Sequence, residues 1–261
     1  MNNPLDFSGR VVLITGGSQG IGRRLSERFL QAGADVMICS RRPPETLPES
    51  GGRSAHHVVA DVRDINSVTN LVTATVERLG RLDVLINNAG GSPYVLAADA
   101  SPRFLDKIIQ LNLTAPLLLS QRANAVMQAQ EGGGVILNIT SVSGTRPSPG
   151  TAAYGAAKAG LINLTKTLAV EWAPKVRMCA ITAGLIQTEK AHMHYGNEAG
   201  IAAAAQTVPL GRLGCPDDVA DAALFLASSM SSYITGADLV LHGGGERPAF
   251  LTAVQTAMGG S

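Results

Sequence analysis

Three side chains near the middle of the chain have the types and spacing of a proton-transfer set. Tyr154 and Lys158 stand four residues apart at the start of a segment, 154–172, whose pattern predicts a helix. They therefore share one face, a single turn apart, and can act on the same bond. A tyrosine hydroxyl exchanges a proton with a carbonyl or alcohol oxygen near neutral pH if its pKa falls from ~10 to about 7, which takes roughly 4 kcal/mol of phenolate stabilisation. A unit positive charge at ~4 Å under an effective dielectric of about 20 supplies that amount, and Lys158 is placed to be that charge. Ser141, thirteen residues before Tyr154, can donate to an oxygen on which charge develops. Protein groups of this kind position a hydride passing between carbon centres and do not carry it.

A carrier is suggested near the N-terminus, where Thr15-Gly16-Gly17-Ser18-Gln19-Gly20-Ile21-Gly22 follows an apolar run at 11–15 and opens a helix at once. Such a turn lets backbone approach a pyrophosphate and aims unsatisfied N–H groups and the positive end of the helix dipole at it. The competing reading is a tight strand-to-helix turn with no ligand. The spacing, Gly-x-x-x-Gly-x-Gly, departs from the Gly-x-Gly-x-x-Gly fingerprint. At the end of the next apolar run, Cys39-Ser40-Arg41-Arg42 presents no carboxylate. A carboxylate there would accept from a ribose 2′-hydroxyl, whereas an arginine suits a 2′-phosphate. NADP(H) is favoured over NAD(H), against the alternative of a solvated arginine pair. Asp35 precedes this strand and is expected to serve a turn. Asn112 lies four residues before Pro116 in a long apolar helix. The proline removes the N–H that would bond the Asn112 carbonyl and predicts a kink.

The elements that must hold these groups alternate along the chain. Short apolar runs at 11–15, 36–39, 57–60, 83–87, 135–140, 176–182 and 239–242 predict strands, and segments near 20–32, 64–79, 102–130, 154–172 and 216–228 predict helices. Length separates the two, because runs of four to eight apolar residues suit strands buried on both faces. The stripe of Ile65, Val68, Leu71, Val72, Val76 and Leu79, with Asp64 placed to cap it, is the clearest helix. The expected fold class is α/β: a single doubly wound Rossmann domain of about seven parallel strands with helices on both faces and ligands beyond the carboxyl ends of the strands.

With Asn87-Asn88-Ala89-Gly90 after the fourth strand, Ser141 after the fifth and Tyr154-Gly-Ala-Ala-Lys158 opening the next helix, the chain resembles the short-chain dehydrogenase/reductase family from Gly9 to about Gly244. The resemblance places the family's glycine motif on Gly16, Gly20 and Gly22, its adenine contact on Asp61 and Val62, and its catalytic tetrad on Asn112, Ser141, Tyr154 and Lys158. The dinucleotide site it implies comprises Gly16, Ser18, Gln19, Gly20, Ile21, Gly22, Ser40, Arg41, Arg42, Asp61, Val62, Asn88, Ala89, Gly90, Tyr154, Lys158, Gly184, Ile186 and Thr188. Lys158 would hold the nicotinamide ribose hydroxyls, and a water on the Asn112 carbonyl would link Lys158 to solvent. Where the family reads Pro-Gly after its sixth strand this chain has Ala183-Gly184, while Ile186 and Thr188 keep the positions that meet the carboxamide. The implied activity is interconversion of a secondary alcohol and a ketone, with 3-oxoacyl-thioester reduction first and a bulky cyclic or steroid-derived ketone, free or CoA-linked, second. A catalytically silent dinucleotide-binding regulator is the reading from another class. An enoyl-type reductase is disfavoured by the close Tyr-Lys spacing. By resemblance the substrate is covered by 192–208, read as a lid, and the helices carrying Leu117, Leu118, Leu119, Leu161, Leu164 and Leu168 build a homodimer or homotetramer.

Composition agrees with a small-molecule enzyme. Of 261 residues 45% are hydrophobic and 16% charged, enough to bury a large core. Lys+Arg 21 against Asp+Glu 20 leaves no global field to recruit nucleic acid or an anionic membrane. No signal peptide or apolar span is legible, so a cytoplasmic location is expected. Cys39, Cys179 and Cys215 read as thiols and not as a disulfide frame, and the five histidines offer no metal site. A tail beyond about residue 245 carries Phe250, Val254 and Met258 at four-residue steps, predicting a short helix whose apolar stripe needs a surface. It is expected to border an interface and wall a substrate pocket.

Overall fold

The computed structural model describes residues 3–259, excepting the side chains of residues 193, 194, 252, 255 and 256. His194, one of the histidines considered above, is therefore not described beyond its backbone. Seven parallel strands form one sheet in the order β5-β2-β1-β6-β7-β8-β9. They are β1 (Val11–Thr15), β2 (Asp35–Ser40), β5 (His56–Val59), β6 (Val84–Asn87), β7 (Gly134–Ser141), β8 (Val176–Ala183) and β9 (Asp238–Leu241). A two-stranded hairpin, β3 (Glu49–Ser50) and β4 (Arg53–Ser54), interrupts the crossover from β2 to β5. The strand order reverses between β1 and β6, which leaves a crevice beyond their carboxyl ends.

Alternation along each strand divides the core between two faces. Val12, Ile14, Val36, Ile38, Val84 and Ile86 meet Leu25 and Phe29 of α1 (Gly20–Gln31) and Val219 and Ala223 of α8 (Pro216–Ala227). Leu13, Met37, Cys39 and Leu85 meet α2 (Ile65–Leu79), α4 (Ala115–Ala129) and α5 (Ala152–Trp172) through residues such as Leu71, Leu119 and Leu168. Helices therefore cover both faces, as the apolar runs required. Asp64 caps α2 by accepting from the Ser67 N–H at 2.7 Å, and Gly80 ends it in the left-handed conformation. Asp35 lies within β2 and pairs with Arg53 at 3.0 Å, so it does not serve the expected turn.

The long helix expected over 102–130 is divided. α3 (Pro102–Ile109) passes through a π turn at Gln110–Thr114 into α4, with Pro116 in its first turn. Inserting one residue, so that the Ala115 N–H bonds the Gln110 carbonyl, lets the helical chain pass a position that lacks an N–H. Behind the site a buried polar chain joins strands to helix. Asn87 Nδ2 donates to Asn138 Oδ1 at 2.8 Å and to Ser120 Oγ at 3.0 Å, and Asn138 Nδ2 donates to Thr165 Oγ1 at 2.8 Å. Nearly fully buried, these bonds fix β7, which ends in Ser141, against α5, which carries Tyr154 and Lys158.

After β8 come α6 (His192–Tyr195) and α7 (Glu198–Thr207), and the chain ends in α9 (Ala249–Ala257). Phe250, Val254 and Met258 of this last segment are half exposed or more in the single chain. Of the six leucines expected on an oligomer face, Leu119, Leu161 and Leu168 are buried within the subunit, while Leu117, Leu118 and Leu164 are only partly covered.

Candidate active site

A cleft of about 660 Å³ opens at the strand-order reversal. The ends of β1 and β6 are lashed together there, because Thr15 Oγ1 accepts from the Asn88 and Ala89 N–H groups at 3.0 and 2.9 Å and Asn88 Nδ2 donates to the Thr15 carbonyl at 2.9 Å. Into this cleft the fold brings Gly16, Ser18, Gln19, Ile21, Gly22, Ser40, Arg41, Asp61, Val62, Asn88, Ala89, Gly90, Ser141, Tyr154, Lys158, Gly184, Ile186 and Thr188. Three expected residues do not line it. Gly20 turns its N–H to Glu189 Oε1 at 2.8 Å. Arg42 is exposed, its carbonyl accepting from Ser40 Oγ at 2.7 Å. Asn112 is wholly buried, where its side chain accepts from the Gly91 N–H at 2.9 Å and donates to the Gly91 carbonyl at 3.0 Å. Its observed part is to clamp the loop after β6.

The chain's own geometry suits a dinucleotide. Gly16 holds a φ of +65°, and a Cβ on Gly22 would lie 2.1 Å from the Gly16 carbonyl oxygen, so only glycine permits so tight a turn at the N-terminus of α1. Arg41 lines the far end of the cleft and makes no ion pair among the described residues, because Asp61 beside it is taken up by Arg63 at 2.6 and 2.9 Å. Those bonds to Arg63, with the charge of Arg41 nearby, hold the Asp61 carboxyl below its ordinary pKa.

At the other end stand Ser141, Tyr154 and Lys158. Lys158 is 4% exposed, its Nζ donates to the Ile139 carbonyl at 2.8 Å, and it lies 5.6 Å from the Tyr154 ring centroid. Burial pulls its ammonium from 10.5 down to about 8. Burial also pushes the Tyr154 phenol up, a rise that Ser141 only partly offsets. The expected fall of Tyr154 toward neutrality is thus not produced by the protein alone. Desolvation dominates at Tyr154 while the Lys158 ammonium is directed at a carbonyl, and the phenol is held protonated, the state from which it can donate.

Lys158 predicts a pH effect on stability. Its folded pKa lies below its unfolded value, so between about pH 8 and 10 the unfolded chain binds the extra proton and this group's contribution to stability rises with pH. The buried thiols Cys39 and Cys179, whose folded pKa values are raised, contribute the opposite slope. The readout is therefore a difference: in urea denaturation, wild type should gain stability relative to Lys158→Met as pH rises through this window.

Arg63, Tyr94, Arg146 and Lys190 line the cleft without having been expected there, whereas Tyr195, also in the lining, falls in the segment 192–208 expected to cover the substrate. Lys190 reaches Gln19 Oε1 at 2.7 Å, so the segment after β8 and the glycine turn are joined across the cleft. Only Arg63 carried a signal, its position two residues after Asp61.

Comparison with known proteins agrees with this geometry. A family model described as enoyl-(acyl carrier protein) reductase matches residues 16–246. An uncharacterised oxidoreductase of Mycobacterium tuberculosis is 37% identical over 90% of this chain and 91% of its own length. A 3α-hydroxysteroid dehydrogenase of Mediterraneibacter gnavus is 35% identical over 90% of this chain and 96% of its own. The aldohexose dehydrogenase of Thermoplasma acidophilum superposes with a TM-score of 0.84 at 32% identity, covering 92% of this chain and 94% of that one. Fold and site are those of a dinucleotide-linked oxidoreductase. The chain belongs to the short-chain dehydrogenase/reductase family, which implies a nicotinamide dinucleotide cofactor and a small-molecule substrate.

Proposed function

We propose that the protein interconverts a secondary alcohol and a ketone with NADP(H). The observation that carries this reading is one cleft with Ser141, Tyr154 and Lys158 at one end and, at the other, Arg41, which makes no ion pair among the described residues. NADP(H) would be held by the glycine turn, Arg41, Asp61, Val62 and the loop 88–90, with Gly184, Ile186 and Thr188 at the nicotinamide end, and when bound it supplies or accepts the hydride. In reduction Tyr154 Oη gives its proton to the carbonyl oxygen, and Ser141 donates to the same oxygen as charge develops. Lys158, held on the Ile139 carbonyl, favours the phenolate that remains. Asn112 acts on this set from behind, through Gly91.

The substrate favoured first is a 3-oxoacyl thioester. A bulky cyclic or steroid-derived ketone is the second reading, supported by the 3α-hydroxysteroid dehydrogenase relative. A silent dinucleotide binder is opposed by the assembly of all three proton-handling groups in one cleft. Partly uncovered Leu117, Leu118 and Leu164, with Val170 81% exposed on α5, support a homodimer or homotetramer. A cytoplasmic location is proposed with it, and no helix among the described residues is long and apolar enough to cross a membrane. Purified protein with NADPH or NADP+ against 3-oxoacyl thioesters, cyclic ketones and steroids tests the reading. Ketone-dependent oxidation of NADPH is expected, and inertness toward every ketone and alcohol with either nicotinamide cofactor would reject it.

A further inference from the structure

Beside the catalytic cleft lies a second cavity of about 210 Å³, lined by Val142, Arg146, Leu185, His242, Gly245 and Glu246 among others. Val142, Arg146, Gly184 and Leu185 line both spaces, so the smaller one is a side chamber of the larger. It falls below the ~300 Å³ at which pockets begin to hold a whole drug-sized ligand. It suits one end of a molecule whose reacting carbon lies elsewhere.

The rim of this chamber is an ion pair. Arg146, five residues beyond Ser141, meets Glu246 at 2.5 Å, and both side chains are about one-third exposed, 38% and 30%. The segment bearing Glu246 is pinned by backbone: the Gly245 N–H donates to the His242 carbonyl at 3.0 Å, the Leu210 N–H to the Gly243 carbonyl at 3.1 Å and the Arg247 N–H to the Thr207 carbonyl at 3.0 Å. The carboxylate therefore has a fixed place. No described residue of α9 itself lines either cavity, so what the tail brings to the substrate end is Gly245 and Glu246, not the Phe250, Val254 and Met258 stripe.

A guanidinium and a carboxylate side by side discriminate by charge. A carboxylate on the ligand would gain from Arg146 and be repelled by Glu246, and an ammonium would meet the reverse. A neutral hydroxyl can accept from Arg146 and donate to Glu246 together. His242 offers a donor or an acceptor, while Val142 and Leu185 face a carbon frame. We propose that the side chamber receives the neutral, hydroxyl-bearing end of the substrate, with Arg146 and Glu246 as the residues that determine specificity. The inference rests on the ketone-reducing reading above.

Three ketones of one frame test it: cyclohexanone, 4-hydroxycyclohexanone and 4-oxocyclohexanecarboxylate, each with NADPH. Wild type should favour the hydroxyl over the carboxylate compound in kcat/KM. Glu246→Gln keeps the shape and removes the repelling charge, so the carboxylate-to-hydroxyl ratio should rise about tenfold. Arg146→Gln should lower that ratio about tenfold, the scale of a charge-assisted hydrogen bond. If the pair merely tethers the tail, all three ketones lose by a common factor in both variants, which overturns the proposal. So does a ratio that stays within about twofold while cyclohexanone is still reduced. Failure of the wild type to reduce any ketone removes the functional reading, and this inference with it.

Discussion

Tyr154→Phe is expected to reduce turnover to below about a hundredth of wild type while dinucleotide affinity stays within a few fold. General acid–base catalysis is worth ~10²–10⁴ in rate, and phenylalanine keeps the ring and its packing while removing the one group that gives up a proton. In the proposed reading the nucleotide would be gripped elsewhere, by the turn at Gly16 and Gly22 and by Arg41, all of which line the cleft. The split between rate and affinity is the diagnostic part. Lys158→Ala should damage both, because its ammonium is buried against Ile139 within reach of Tyr154. Steady-state kinetics together with dinucleotide titration reads the outcome. Retention of more than about a hundredth of the rate by Tyr154→Phe would remove the acid/base assignment.

Arg41→Ala should weaken NADPH binding about ten- to a hundredfold and leave NADH nearly unchanged, since only NADPH offers a 2′-phosphate for a charge-assisted bond worth roughly 1.5–3 kcal/mol. The surroundings sharpen this expectation. Asp61, the carboxylate that could neutralise Arg41 or accept from a 2′-hydroxyl, is engaged by Arg63 through three bonds, two from the guanidinium and one from the backbone N–H. Arg42 is exposed and does not line the cleft, so of the two arginines expected at this end only Arg41 does. Calorimetric titration with both cofactors decides the matter, and equal losses for the two would assign Arg41 a structural part only.

The strands and the main helices were legible because apolar runs of four to eight residues have one use in a sheet buried on both faces. The turn at Gly16–Gly22 and the Tyr154–Lys158 pair were legible because each depends on residues close in sequence. What was not legible depends on contacts across the fold. The hairpin at Glu49–Ser54 has strands of two residues, largely exposed and without periodicity. Pro116 announced a disturbance in the long helix but could not say that one inserted residue, a π turn, would absorb it. The pairing of Asn87, Asn138 and Thr165 spans 51 and 27 residues, and that of Arg146 with Glu246 spans 100. The upward shift that burial gives Tyr154 in the chain alone was not legible for the same reason. Spacing along a helix fixes how near Lys158 lies, but the cost of burying a charge depends on everything else packed around it.

Hydride transfer between NADP(H) and a carbonyl carbon, with Tyr154 delivering the proton, can be followed atom by atom. The reduction is run with NADPH carrying two deuteriums at C4, and the label is located by NMR and mass spectrometry. One deuterium is expected on the carbinol carbon of each alcohol molecule, with Tyr154→Phe forming that alcohol at less than about a hundredth of the wild-type rate. Alcohol formed without cofactor deuterium at that carbon, or formed by Tyr154→Phe at more than about a hundredth of the wild-type rate, would overturn this mechanism.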